Sequence, residues 1–330
     1  MVSIGPVRLG DFPLLLAPME DVSDPPFRTL CKEQGSDLMF TEFISVEGLI
    51  RDASKSVQKL DIYDEERPIG IQIFGSDQYS MQKAAAIVEE AQPEILDINY
   101  GCPVNKVVCK MAGAGILKDI PKMVRLTKSI VNSSNLPVTV KTRLGWDDKS
   151  IYINEVAERL QDVGIKAITI HGRTRKQMYK GEANWELIAR VKENPRLFIP
   201  VFGNGDIDDP VKAKKFKLRY GVDGIMIGRA SIGNPWIFKE IKHYLASGEV
   251  PDPPGIAERV RVVRQHLMHS IRWKGEQLGV LEMRRHYGNY FKGFPGIRHF
   301  RSQLVYSNNS EEIFWLLDRI EGHFMELATV

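Results

Sequence analysis

The sequence predicts an α/β protein: a (β/α)8 TIM barrel over residues 1–247, followed by a small all-helical C-terminal domain over residues 256–330. Three observations carry this reading. Eight short apolar runs alternate with helical patterns across roughly 230 residues, close to the ~250 typical of such a barrel. No G-x-G-x-x-G follows the first run, which removes the main sequence support for a dinucleotide-binding sheet. The segment "GEVPDPPG" (248–255), with three prolines and two glycines, then separates this alternation from a stretch with helical spacing alone.

The runs are Leu14–Ala17, Leu38–Glu42, Ile69–Phe74, Ile95–Asn99, Val138–Lys141, Ala167–His171, Phe198–Phe202 and Gly224–Ile227. They read as near-continuous apolar segments, as strands covered on both sides do. Helical patterns fill the gaps: Ile153, Val156, Ala157 and Leu160 share one face, and Pro121 suits a first helical turn. Beyond the linker, Val260, Val263, Leu267 and Ile271 recur at helical spacing, as do Ile313, Leu316, Leu317, Ile320, Phe324 and Leu327.

With 43 % apolar and 26 % charged residues, a packed core is expected and disorder is not. No apolar run approaches the ~18 residues that span a bilayer, and the first residues lack a basic region followed by an apolar stretch. Three scattered cysteines, Cys31, Cys102 and Cys109, contain no C-x-x-C pair. They argue against a disulfide framework or a metal cluster and for a reducing, cytoplasmic setting. Net charge is only +3, yet the window 259–301 holds ten arginines and lysines against Glu276 and Glu282, a local surplus of +8 suited to a polyanion.

In a barrel of this kind the chemistry lies at the C-terminal ends of the strands. In this chain those ends read Ala17-Pro18-Met19, Thr41-Glu42, Gln72, Asn99 with Cys102, Lys141 with Arg143, His171-Gly172-Arg173, Asn204-Gly205-Asp206 and Gly228-Arg229. So many polar groups in one ring predict a polar ligand over the mouth. Gly-rich turns after strands seven and eight are where barrels frequently hold a phosphate. Together with Lys141 and Gln72 they suggest flavin mononucleotide (FMN), whose anionic reduced ring a cation would stabilise.

The stretches "LAPMEDVSDPPFR" (16–28), "QIFG" (72–75), "DINYGCPVNKV" (97–107), "VKTRLGW" (140–146), "ITIHGRTRKQMYKGEANW" (168–185), "VFGNGDI" (201–207) and "DGIMIGRA" (223–230) resemble the tRNA-dihydrouridine synthases, in particular their bacterial B-type subgroup. The resemblance spans residues 14 to 245 in order. It implies an FMN-binding barrel and a helical tRNA-binding domain. Ala17, Pro18, Met19, Gln72, Lys141, His171, Asn204, Gly205, Asp206, Gly228 and Arg229 would hold the FMN, and NADPH (or NADH) would reduce it. The flavin would pass a hydride to C6 of a uridine, and an acid would deliver a proton to C5 on the other face.

Cys102 matches the family's catalytic cysteine in N-x-G-C-P, and a thiol with an ordinary pKa of ~8.5 is protonated at neutral pH, as a proton donor must be. Cys31 and Cys109 lack that context and read as structural. Asn99, Arg143, Arg173 and Arg175 are candidates for substrate contact at the mouth. On the tail, Arg284, Arg285, Lys292 and Arg298, with Arg301 and interleaved with Tyr287, Tyr290 and Phe291, are candidates for tRNA. Glu42 reads equally as a substrate contact or as an arginine's structural partner. The alternative is an FMN barrel oxidoreductase acting on a small pyrimidine-like substrate, which leaves the basic tail unexplained. No metal and no membrane are expected, and a monomer is the default.

Overall fold

A computed structural model describes residues 1–328. Eight parallel strands form its barrel: β1 (Leu14–Leu16), β2 (Leu38–Phe40), β3 (Ile69–Phe74), β4 (Ile95–Tyr100), β5 (Val138–Arg143), β6 (Ala167–His171), β7 (Val201–Asn204) and β8 (Gly224–Ile227). Each pairs with its sequence neighbour. β8 returns to β1 through Met226 opposite Leu15, so the sheet has no open edge there. Closure matters because an open parallel edge would leave backbone groups unpaired.

Alternate residues of these strands have different destinies. Leu14, Leu16, Ile71, Ile73, Leu96, Ile98, Val138, Val140, Ile168, Ile170, Ile225 and Ile227 face outward into one continuous core with the surrounding helices. Full burial of each such side chain contributes ~1.5–3 kcal/mol, so this layer carries the fold. The inward set is free to vary. It is apolar at the bottom, with Leu15, Leu38, Phe40, Ile95, Ala167 and Phe202, and polar toward the top.

The bottom is closed by an element outside the predicted alternation. Val2–Ile4 and Val7–Gly10 pair antiparallel around Gly5 (φ 57°), and Ile4 and Leu9 plug the barrel against the inward apolar set. β7 also starts later than expected, at Val201. Pro200 offers no backbone N–H, and Phe198, 85 % exposed, lies in the approach loop with its N–H on Gln161 Oε1. β4 and β5 run one and two residues further than predicted, to Tyr100 and Arg143, while β2 stops at Phe40.

Helix Ile237–Ser247 ends at Gly248 in the left-handed region, and the proline-rich segment follows. Helices Ile256–Lys274, Glu276–Tyr290, Arg298–Tyr306 and Ser310–Ala328 then pack around Val263, Leu267, Val280, Met283, Tyr287, Tyr290, Phe291, Leu304, Leu316, Leu317 and Ile320. Leu30 and Trp236 from the barrel side join this second core. Leu327, placed on the apolar face by its spacing, is exposed.

Polar contacts fasten the tail to the connections after β1 and β2. Asp24 caps helix Pro25–Glu33 through Phe27 N–H at 3.0 Å, and its other oxygen takes the Lys274 ammonium, which also meets Glu282. Arg285 binds Asp21, and Trp273 Nε1 donates to Asp61 at 2.8 Å.

Candidate active site at the barrel mouth

A cavity of about 1180 Å³ opens at the C-terminal ends of the strands. Ala17, Pro18 and Met19 from the end of β1, Asn99 and Cys102 from β4, Lys141 and Arg143 from β5, and His171 from β6 line it. Asn204, Gly205, Asp206, Gly228 and Arg229 complete the wall from β7 and β8. Gln72 does not reach this wall. It is fully buried beneath it, between Asp97 and Asn99.

Lys141 extends into the cavity with Nζ 3.3 Å from Asn204 Oδ1. Asn204 cannot turn its amide over without loss, because its Nδ2 donates to Met226 O at 2.7 Å. Burial, then the nearby Arg143 charge, pulls the lysine down to about 8. A half-buried cation so sparsely countered is a ready partner for an anionic or electron-rich ligand. His171 is held well below its usual value, first by burial and then by the surrounding cations, so it is neutral at pH 7. Arg173 Nη1 lies 3.3 Å from its Nε2 and can only donate, which leaves the ring proton on Nδ1.

The two Gly-rich turns fit a phosphate. Gly205 adopts φ +124°, and a Cβ there would come within 2.7 Å of Ala183 Cβ. Arg229, more than half exposed, stands over the Tyr179 ring at 4.7 Å and 3.4 Å from Asp206. Asp206 itself accepts from Arg173 Nη2 and from Ala183 N–H, both at 2.7 Å, so its carboxylate organises the turn from the protein side. A cation at the floor, a neutral imidazole, and a turn where only glycine fits beside an exposed arginine match the donors and space that FMN requires.

Cys102 sits at the cavity's rim, 8 % exposed and packed with Val107, Ala112, Phe43 and Phe74. Its N–H and that of Gly101 both donate to Asn99 Oδ1 at 2.9 Å, and Ala114 N–H donates to its carbonyl at 3.0 Å. The loop closes tightly enough that a Cβ on Gly113 (φ +52°) would come within 2.9 Å of that carbonyl. Burial pushes the thiol up, against the smaller pull of Val104 N–H and Arg143, so it stays protonated at neutral pH.

A family model described as dihydrouridine synthase matches residues 15–326. The chain belongs to the dihydrouridine synthase family. The tRNA-dihydrouridine synthase B of Pseudomonas aeruginosa is 40 % identical over 304 residues, covering 92 % of this chain and 91 % of the relative. That of Escherichia coli is 37 % identical over 326 residues, covering 98 % and 100 %. Among solved structures, a histamine dehydrogenase from Rhizobium matches 80 % of this chain and 50 % of its own, with TM-score 0.52 and 15 % identity. A 6-hydroxypseudooxynicotine amine oxidase from Pseudomonas geniculata matches 79 % and 52 %, with TM-score 0.55 and 13 % identity. The chain thus spans about half the length of these two, and they share its fold.

Several candidate residues take different places in this dihydrouridine synthase from those their sequence position suggests. Arg143 is 2 % exposed and spends its donors on backbone carbonyls: Gly101 at 2.7 Å, Met178 at 2.9 Å and Thr174 at 3.2 Å. Arg173 is equally buried against Asp206. Both line the cavity and brace its wall through these bonds. Arg175 lies over Trp146 and binds Asn105 at the surface of the Cys102 loop. Glu42 partners no arginine among the described residues; it accepts Asp21 N–H, lies 3.8 Å from Lys59, and burial raises it to about 7.

On the tail, Arg284 is half-buried and bonded to Ser307 O and Asn308, Arg285 is engaged with Asp21, and Lys292 and Arg298 are exposed. Tyr287, Tyr290 and Phe291 are fully buried, so they form core and offer no stacking platform. Cys31 is core as expected, whereas Cys109 is exposed. Two residues of the site give little sign of themselves in sequence. Tyr179, beside His171, Arg143 and Arg229, lies inside a quoted motif but in a loop whose fold back over the mouth no periodicity reveals. Asp97 reads in sequence as one polar interruption of a strand.

Proposed function

We propose that this chain reduces uridines in tRNA to 5,6-dihydrouridine on FMN, with Cys102 as the proton donor, in the manner of the B-type enzymes. The observation that carries the reading is a protonated, enclosed thiol held at the rim of a cavity whose floor is Lys141, Asn204 and His171. The curated relatives named above bear the tRNA-dihydrouridine synthase B name over nearly the whole chain, tail included. A small pyrimidine-like substrate leaves that basic tail without a use.

When bound and reduced, FMN supplies the hydride that C6 of the uracil receives. The chain's own part is to bind, orient and protonate. Lys141 would face the electron-rich edge of the ring, with Asn204 setting its direction. Ala17, Pro18, Met19 and the neutral His171 would enclose the ring system. Gly205, Gly228 and Arg229 would take the phosphate, with Asp206 holding Arg229 and Arg173 in place. Gln72 acts from beneath and Asn99 from the wall, through the loop they support. Cys102 gives its proton to C5, so the C5–C6 double bond gains one hydride and one proton. NADPH (or NADH) is the proposed reductant. We assign the flavin site to residues 1–247 and tRNA anchoring to 256–330, in a cytoplasmic monomer without a metal.

The test is a single turnover. The flavin is reduced anaerobically, tRNA lacking modifications is added, and flavin absorbance and dihydrouridine are followed together. Reoxidation with equimolar product supports the reading. A flavin that stays reduced in the presence of tRNA, yet is reoxidised by a free pyrimidine base, sinks it.

For the tail, the exposed Lys292 and Arg298 are the candidates whose charges face solvent. Each phosphate that the protein ceases to neutralise reduces the slope of log K against log salt by ~0.9 on a duplex and ~0.7 on single-stranded RNA. Lys292→Glu with Arg298→Glu is therefore expected to weaken tRNA binding and flatten that slope by about 1.5. A titration series across salt concentrations reads it; an unchanged slope removes both residues from the interface.

A further inference from the structure

The barrel's centre contains a carboxylate that the proposed chemistry does not use. Asp97, on β4 two residues before Asn99, is 2 % exposed. Both its oxygens are engaged: Thr139 Oγ1 donates to Oδ1 at 2.5 Å and Gln72 Nε2 to Oδ2 at 2.6 Å. Gln72 then presents Oε1 to Asn99 Nδ2 at 2.8 Å. Asn99 in turn presents Oδ1 to the backbone N–H groups of Gly101 and Cys102. Two side-chain amides thus connect a buried carboxylate to the backbone of the Cys102 loop.

Each link is directional, and the two ends make the same demand: a carboxylate that only accepts at one, two backbone N–H groups that only donate at the other. An amide side chain has no preferred orientation of its own; its partners choose which end is oxygen and which is NH2. An ionised carboxylate only accepts. Gln72 must therefore turn its NH2 toward Asp97 and its oxygen toward Asn99, and Asn99 must then turn its oxygen toward the loop. Were Asn99 reversed, its NH2 would face two backbone N–H groups, leaving buried donors without acceptors, an arrangement native interiors avoid. The loop has other anchors, Arg143 on Gly101 O and Ala114 N–H on Cys102 O, so its release would be local.

We propose that Asp97 is a positioning residue for Cys102: it anchors the near end of a two-amide relay whose far end holds the Cys102 backbone in place. The consequence for turnover rests on the reading of Cys102 as proton donor; the relay itself does not.

A double-mutant cycle separates this from a plain packing role. In Asp97→Asn, the new amide can still accept from Gln72 while donating to Thr139 Oγ1, so the polarity survives. In Thr139→Val the carboxylate remains and still only accepts. With both changes, the NH2 of the introduced amide has only Gln72 Oε1 left as acceptor, a demand opposite to that of the two loop N–H groups, so the relay is set against the loop it holds. The readout is alkylation of Cys102 by iodoacetamide in the flavin-bound protein, followed by mass spectrometry, with the exposed Cys109 as internal reference. Tm, flavin content and tRNA-dependent reoxidation are measured beside it.

The single variants are expected to move Cys102 alkylation by less than about twofold, and the double variant to raise it about fivefold or more, the effect of losing one hydrogen bond of ordinary strength. Reoxidation by tRNA slows in the same order. Faster alkylation with unchanged reoxidation supports the relay while removing Cys102 from the donor role. Additive single effects, or Cys102 alkylation unchanged in the double variant, overturn the relay. If the double variant does not fold, Asp97→Leu with Thr139→Val removes the buried charge altogether. It leaves Gln72 Nε2 without its acceptor, and the same rise in Cys102 alkylation is expected.

Discussion

Replacing Cys102 by alanine is expected to leave flavin content and flavin reduction intact and to slow tRNA-dependent reoxidation by ~10²–10⁴-fold, the usual worth of a positioned general acid. The separation of the two half-reactions follows from the geometry. The thiol stands at the rim, while the groups proposed to hold the flavin lie on the other strand ends, so its removal leaves the cavity floor untouched. Alanine also keeps the backbone N–H that bonds Asn99 Oδ1, so the loop retains its shape. The pH dependence has a definite sign. An acid works in its protonated form, and burial raises the Cys102 thiol above its ordinary value. Reoxidation should therefore be flat through neutrality and fall only above the ordinary thiol range. Loss of Lys141's charge as pH rises through about 8 is a separate limb, read as weaker flavin retention. Stopped-flow reoxidation across pH, with flavin content measured at each point, distinguishes the two. If the alanine variant reoxidises within a few-fold of the parent rate, another group donates the proton.

How much of this is legible in the sequence depends on what each signal encodes. Strands β1 to β8 are visible because their outward residues are uninterrupted aliphatics, and the polar ring is visible because each strand ends where that pattern breaks. The hairpin at residues 2–10 is not, because its signal is a period of two over only three or four residues: Val2-Ser3-Ile4, then Val7-Arg8-Leu9. Its destination, the barrel's bottom, is a long-range fact. The relay through Asp97, Gln72 and Asn99 is invisible for a related reason: its members lie on two strands, and only the register of β3 against β4 brings Gln72 opposite Asp97.

The tail shows a subtler difference. Arginines and aromatics interleave along residues 284–291, which in sequence suggests a stacking surface for RNA. On the helix, however, Met283, Tyr287 and Tyr290 fall at i, i+4 and i+7, the spacing of a buried stripe, while Arg284 and Arg285 turn to other faces. Along a helix, periodicity and not adjacency decides which side chains share a surface.

Arg28→Met is expected to destabilise the protein by about 3–5 kcal/mol, the cost of breaking a buried ion pair from one side. Arg28 and Glu66 are both essentially inaccessible, bonded at 2.9 Å. Arg28 also donates to Ser23 O at 2.9 Å and to Asp61 O at 2.7 Å. Burial raises Glu66 despite the opposing pull of Arg28, so enclosing the carboxylate outweighs the pairing. Such a pair adds little net stability over an apolar filling, yet neither member tolerates the other's removal.

The sign of the pH effect follows. With Arg28 gone, Glu66 rises further, and its ionised form is what the variant cannot accommodate. The loss is therefore full above the raised folded value, lessens as pH falls below it and Glu66 takes up a proton, and is gone below the unfolded value of ~4.3. Denaturant melts of the flavin-free protein at several pH values read this; equal losses at acid and alkaline pH would contradict it. The defect also reaches the site. Ser23 Oγ accepts Met19 N–H at 2.8 Å, and Ser23 N–H bonds Met19 O at 3.0 Å, so the arginine that pins Ser23 also steadies the loop carrying Ala17, Pro18 and Met19. The variant should accordingly retain FMN less well even at temperatures where it remains folded. Retention equal to the parent protein's would mean that the loop is held from the tail, through Lys274 on Asp24 and Arg285 on Asp21, rather than through Arg28.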